Sequence, residues 1–140
     1  MIKIYLASPF FNQKESCVYR NVIKKLKEIK EVELFIPQDH KVENEWELSN
    51  EEWGKAVFEM DVQAIDECDI IIALNWGLYS DTGTAWECGY GYAKGKPIIN
   101  VLCEKENKEY SLMMINGANK IINLEDVLFN VDTKIKIAQK

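Results

Sequence analysis

Three consecutive isoleucines, Ile70-Ile71-Ile72, inside an apolar run that ends at Leu74, constrain this chain more than any other feature. Strand side chains alternate between faces, so a run apolar at every position needs cover on both sides. That is the condition of a strand in a parallel sheet held between two layers of helices. The flanking sequence supplies the rest of such a sheet. Ile2 to Ala7 is a β-rich run stopped by Ser8-Pro9, Val32 to Ile36 is a strand ended by Pro37, and Asp69 to Leu74 holds the isoleucines. Pro97 to Leu102 reads as another buried strand and Lys120 to Ile122 as a short last one.

Helical periodicity fills the gaps. It runs from about Asn12 to Lys30 through Val18, Val22, Ile23, Leu26 and Ile29, and from Glu51 to Glu67 through Trp53, Val57, Met60, Ala64 and Ile65. Thr82 to Lys94 predicts a further helix, Tyr110 to Asn116 a short one, and the segment with Leu124, Val127, Leu128, Ile135 and Ile137 a loose one. Gln38 to Asn50 is too charged for a core. Alternating strands and helices predict an α/β fold, a parallel sheet with right-handed crossovers, in a single domain over residues 1–140. Ligands of such sheets bind beyond the carboxyl ends of the strands. Ser8 to Phe11, Gln38 to His40 and Asn75 to Gly83 therefore share one rim.

A net charge of −6 argues against a nucleic-acid polymer or an anionic membrane as partner. Lys24, Lys25, Lys27 and Lys30 cluster, but Glu28 and Glu31 are interleaved, as on a solvated helix face. Cys17, Cys68, Cys88 and Cys103 form no C-x-x-C pair and no compact ligand set with His40, so they read as free thiols of a reducing compartment, and the cytoplasm is the expected location. No metal is expected, and neither G-x-G-x-x-G nor a Walker-type phosphate loop is present.

The stretch from Ser80-Asp81-Thr82-Gly83 through Trp86-Glu87-Cys88-Gly89 to Gly95-Lys96-Pro97 is the most informative. Asp81 or Thr82 is placed to cap the helix. Gly83, Ala85, Gly89 and Gly91 allow close approach of a ligand or another backbone. Glu87 falls in the first two turns, where the helix dipole favours its ionised form. A carboxylate held ionised beside a sugar-sized cleft suits attack on an acetal-like carbon. Residue pattern alone leaves Glu87 evenly divided between that role and a plain surface glutamate. By the same pattern Asp81 is an N-cap, Asp61 the polar edge of a helix, and Tyr5 a core residue whose hydroxyl needs a partner.

Lys3-Ile4-Tyr5-Leu6-Ala7-Ser8-Pro9-Phe10-Phe11, Met60-Asp61, Asp81-Thr82-Gly83-Thr84-Ala85-Trp86-Glu87 and Gly95-Lys96-Pro97 together resemble the nucleoside 2-deoxyribosyltransferases, nearly end to end and in the same order. The resemblance implies a flavodoxin-like (Rossmann-like) five-stranded parallel sheet with helices on both faces, and no cofactor. It implies exchange of the base of a 2′-deoxynucleoside for a free purine or pyrimidine by a retaining double displacement. Glu87 would attack C1′, Tyr5 orient it, Asp61 protonate the departing base, and Asp81 hold the sugar 5′-hydroxyl. Ser8 and Gly83 would border the substrate, and Phe10 and Trp53 would line the base pocket. The family's Asn, two residues before a Met and supplied by a neighbouring subunit, falls on Ser111 with Met113, or in a shifted register on Leu112 with Met114. A homo-oligomer, hexamer or dimer, is implied. A base-contacting Gln is replaced near His40-Lys41. The competing readings are a hydrolase that uses the same glutamate, on a 2′-deoxynucleoside or its 5′-monophosphate, and a non-catalytic nucleoside-binding module.

Overall fold

The computed structural model describes residues 1–78, 81–104 and 109–130. Five parallel strands form one sheet: β1 (Ile2–Ala7), β2 (Val32–Phe35), β3 (Ile70–Asn75), β4 (Ile98–Leu102) and β5 (Lys120–Asn123), in the order β2-β1-β3-β4-β5. This is the flavodoxin-like order, and the direction of strand succession reverses between β1 and β3. Helices α1 (Gln13–Lys27), α2 (Asn50–Glu67), α3 (Thr82–Ala93) and α4 (Leu112–Asn116) connect the strands, and 124–130 is helical after β5.

The central strands are apolar on both faces because both faces are covered. Ile4, Leu6, Ile70, Ile72, Leu74, Ile99 and Val101 meet Tyr19, Val22 and Leu26 of α1 and Val127 of the last helical segment. Tyr5, Ala7, Ile71, Ala73 and Ile98 meet Ile65 of α2 and Cys88 of α3 on the other face. The expected layering is therefore observed.

Helices α1, α2 and α3 start where the sequence supplies acceptors for their free N–H groups, whereas α4 starts after Ser111 without a side-chain cap. Asn12 accepts from Glu15 N at 2.8 Å. Ser49 and Glu52 form a reciprocal capping box, each side chain bonding the other's backbone N–H at 3.1 and 3.0 Å. Asp81 caps α3. The stretch 38–50 stays out of the core as expected; one short 3-10 turn, Pro37–Asp39, leads into it and another, Glu45–Glu47, lies within it.

Helix α1 ends at Lys27, short of the Lys30 expected from its apolar stripe. Glu28 and Ile29 donate back to Lys25 and Leu26, tightening the last turn, and Glu31 takes a left-handed φ of 67° that redirects the chain into β2. Ile29 still packs on the core, so the stripe stays in phase although the helix has stopped. The predicted short helix from Tyr110 begins only at Leu112, and Asn75 belongs to β3. Ser80, Ile135 and Ile137 lie outside the described residues.

Helix α3 lies close on β3 at Gly91, where a β-carbon would come 2.1 Å from Ile71 Cδ1. Ile71 is fully buried and has little room to yield. Gly91→Ala should therefore lower stability by about 1–3 kcal/mol. Gly54→Ala, in α2 with open space around the new methyl, should gain roughly 0.5–1 kcal/mol from helix propensity. Denaturant midpoints of the two variants check this, and equal shifts would refute it.

Candidate active site

The sheet face beneath α3 changes character toward the carboxyl ends of its strands. One row across β1, β3 and β4 is large and apolar: Tyr5, Ile71, Ile98. The next is small and then polar: Ala7, Ala73, Asn100. Asn75 follows at the end of β3. The hollow left by the two alanines adjoins the β1/β3 reversal, where this class of sheet takes its ligands.

Glu87 enters this hollow from α3. The Tyr5 hydroxyl donates to Glu87 Oε2, joining residues 82 positions apart in the chain. Tyr5 is fully buried and stacks on Phe35 at 5.4 Å, and Phe35 in turn stacks on His40 at 4.1 Å. The column of rings fixes the direction of the phenol. Burial, with the Glu87 charge beside it, raises the Tyr5 pKa far above 10, so the phenol remains a donor.

Burial also raises Glu87, to about 7, against the lowering effect of the Tyr5 hydrogen bond and with Asp61 and Asp81 adding to the rise. Burial thus outweighs the helix dipole, which was expected to favour the ionised form of Glu87. A half-charge at a helix end is a weaker influence than removal of a carboxylate from water beside other acids. Asp61, on α2, is raised to about 6 by burial, offset by His40, and its Oδ1 is buried with no hydrogen-bond partner among the described residues. Asp81 Oδ2 accepts from Thr84 N at 2.8 Å and Thr84 Oγ1 at 2.7 Å. Glu87 is therefore the common electrostatic neighbour of Tyr5, Asp61 and Asp81.

The other expected residues distribute unequally. Ser8 follows β1 on the same rim and turns its Oγ to Pro9 O at 2.9 Å. Phe10 is half-buried and stacks on Tyr19 at 5.3 Å. Gly83 lies in the first turn of α3 against the Asp81 carboxylate. Trp53 is displaced: eight residues before Asp61, about 12 Å along α2, it is 45 % exposed and donates to Glu45. Ser111 and Met114 line a cavity of about 300 Å³ together with Asp81 and Asn75. Leu112 and Met113 face outward, 77 % and 85 % exposed. Neither sequence register therefore brings both of its residues to the cavity of Asp81 and Asn75, although Ser111 and Met113 both border a neighbouring cavity of about 330 Å³ under α3. Sequence reasoning put Asn75 on the rim without singling it out, although a polar residue closing an otherwise apolar strand is a signal, and it missed the Phe35–His40 stack, which left none.

All four cysteines are free thiols, and no group of three or more His, Cys, Asp or Glu among the described residues is arranged to hold a metal. No helix among them is long and apolar enough to cross a membrane.

A parallel sheet of this order with a half-buried cluster of carboxyl groups near its strand reversal fits an α/β protein that acts on a small polar ligand. Comparison with known proteins narrows the class. The family model described as Nucleoside 2-deoxyribosyltransferase matches residues 4–125. A solved 2-deoxyribosyltransferase from Bacillus psychrosaccharolyticus is similar at 31 % identity and a TM-score of 0.72, over 91 % of this chain and 90 % of that one. The nucleoside deoxyribosyltransferase of Lactobacillus leichmannii is 24 % identical over 91 % of this chain and 89 % of its own. A Thermofilum pendens protein named as a 2′-deoxynucleoside 5′-phosphate N-hydrolase is 28 % identical over 83 % of this chain and 78 % of its own. The chain belongs to the nucleoside 2-deoxyribosyltransferase family, and it is an enzyme.

The raised pKa of Glu87 has a consequence for stability. Its folded value of about 7 exceeds its ordinary 4.5, so as pH rises the unfolded chain ionises first and native stability falls through that window. The full cost is on the order of 3 kcal/mol. Glu87→Gln cannot ionise and escapes it. The melting temperature of Glu87→Gln minus that of wild type should rise by roughly 5 °C or more between about pH 5 and about pH 8. A difference that does not change with pH would refute the buried-carboxylate account.

Proposed function

We propose that this enzyme transfers the 2-deoxyribosyl group between purine or pyrimidine bases of 2′-deoxynucleosides, through a covalent intermediate on Glu87. The observation that carries the reading is the Glu87 carboxylate, buried on the Tyr5 hydroxyl beside a second carboxyl group whose pKa is also raised. Glu87 in its ionised form attacks C1′ as the bond from C1′ to the base nitrogen breaks. Asp61, protonated below about 6 and holding a buried oxygen without a protein partner, gives its proton to the departing base. An incoming base then attacks C1′ from the opposite side, returning its proton to Asp61 and releasing Glu87. Two inversions give net retention.

Tyr5 serves as the positioning residue. Its hydrogen bond leaves one Glu87 oxygen for the sugar and fixes the rotamer from which attack occurs. Asp81, held by its cap, receives the 5′-hydroxyl. Phe10, Ser8 and Gly83 border the substrate, and Trp53 covers the base from its overhanging position at the start of α2. Ser111 contributes to the sugar pocket of its own chain, and the exposed Met113 reaches the pocket of a neighbouring copy in a homo-oligomer. The substrates are 2′-deoxynucleosides and free bases, the domain spans the whole chain, and the place of work is the cytoplasm.

Incubation with deoxyinosine, with and without adenine, tests the reaction type. Deoxyadenosine formed only when adenine is present supports transfer, and free deoxyribose as the sole product would replace it with hydrolysis. Glu87→Gln should lose several orders of magnitude in rate. Retention of activity within roughly tenfold, only about 1.4 kcal/mol of barrier, would sink the nucleophile assignment.

Asp81 also bears on what the sugar carries at its 5′ carbon. A carboxylate about 4 Å from a phosphate charge costs on the order of 4 kcal/mol at an effective dielectric near 20. Activity is therefore expected on 2′-deoxynucleosides and little on their 5′-monophosphates. Asp81→Ser keeps an N-cap side chain while removing the charge, so it should narrow that gap. Comparison of kcat/KM for deoxyadenosine and its 5′-monophosphate decides it, and equal values in wild type would overturn the assignment.

A further inference from the structure

Asn75 closes β3 and is only 2 % exposed, on the face that carries Tyr5 and Ala73. A buried amide at the end of a strand otherwise made of isoleucine, alanine and leucine is costly unless its polar atoms are used. Half of it is. Gly77 N donates to Asn75 Oδ1 at 3.2 Å across two residues, closing an Asx turn. Gly77 sits at φ 127°, a conformation suited to glycine, so the turn is built to bring that N–H back to Asn75. Only an oxygen can accept there, which settles which end of the amide is which.

The other half is Nδ2, a buried donor with no hydrogen-bond partner among the described residues. Asn75 lines the cavity of about 300 Å³ that Asp81 also lines. Asp81 commits Oδ2 to the α3 cap, and Oδ1 takes part in neither of those bonds. The cavity thus joins a donor that lacks an acceptor to an acceptor oxygen outside the cap. Much of the remaining wall is apolar, including Leu74, Ala85 and Met114.

A hydroxyl group gives one hydrogen bond and accepts others, so it satisfies both sides at once. A phosphate dianion offers only acceptors, and could use the amide but not the carboxylate. We infer that Asn75 is a substrate-binding residue whose amide donates to the oxygen of the sugar 5′-hydroxyl, while Asp81 accepts that hydroxyl's hydrogen. The pair reads a hydroxyl through both of its hydrogen-bonding functions. This inference rests on the deoxynucleoside reading proposed above.

The test compares 2′-deoxyadenosine with 2′,5′-dideoxyadenosine, which lacks only the 5′-oxygen. Each is used, with a free base as acceptor, on wild type, Asn75→Ala and Asn75→Asp. The readout is the ratio of kcat/KM for the two substrates, because any effect on folding or on Glu87 enters both alike. Asn75→Asp keeps an acceptor for Gly77 N and so preserves the turn should Asn75→Ala disturb it. In both variants the ratio should fall roughly tenfold, about 1.4 kcal/mol, toward the value expected when the 5′-oxygen is no longer recognised. A ratio unchanged from wild type in both variants overturns the assignment of Asn75 while leaving the enzyme's reaction intact. A wild-type protein that turns over neither substrate overturns the deoxynucleoside reading, and this inference with it.

Discussion

The hydrogen bond from Tyr5 to Glu87 is the contact on which the site depends, and it in turn depends on the whole sheet. Its two residues belong to the first strand and the third helix, and nothing local holds them together. They meet because β1 and β3 pair in register and α3 crosses the sheet face at Gly91, where no side chain keeps it away. Loosening any of these would leave a buried phenol and a buried carboxylate each without its partner. Such a pair costs more broken than it contributes when made.

The fold therefore carries a concentrated electrostatic load on one face and little on the other. Beneath α1 the sheet is covered by aliphatic side chains with zero or near-zero exposure. Beneath α3 the same strands present two alanines, two asparagines and a tyrosine toward the carboxyl edge. The arrangement follows from strand alternation alone: Ile4 and Leu6 serve the first face while Tyr5 and Ala7 serve the second. A sheet packed well on one side tolerates imperfect packing on the other. Burial on that second face raises the pKa values of Glu87 and Asp61.

Much of the fold was legible because its determinants are local. Ile70-Ile71-Ile72 announces a doubly covered strand, and Asp81 announces the start of a helix whatever else it does. Element ends were less legible. The stripe of α1 continues to Ile29 after the helix has stopped, because a tightened turn keeps the side chain in phase while the backbone departs. The candidate site divides in the same way. The family resemblance named Tyr5, Asp61, Asp81 and Glu87, and the structure gathers them. It could not give the protonation of Glu87, which is set by how much water the folded chain removes from it. Trp53 shows what a helical stripe leaves open: it gives a place along α2 but not the exposure of the side chain, which is 45 %.

Asn75 was placed on the rim but not in the strand, for a further reason. A polar residue after an apolar run is ordinarily read as the end of a strand, and by that rule β3 stops at Leu74. The strand continues because the backbone of Asn75 still pairs with Leu102 of β4 while its side chain turns into the cavity. Pairing and side-chain polarity are separate properties of a residue, and at the carboxyl edge of a parallel sheet they diverge. There the backbone is still held by its neighbours while the covering helix has yet to begin. The side chain of Asn75 is shut off from bulk water yet lines the cavity. That is why the residue just past the apolar run, rather than any within it, is the one free to meet a ligand.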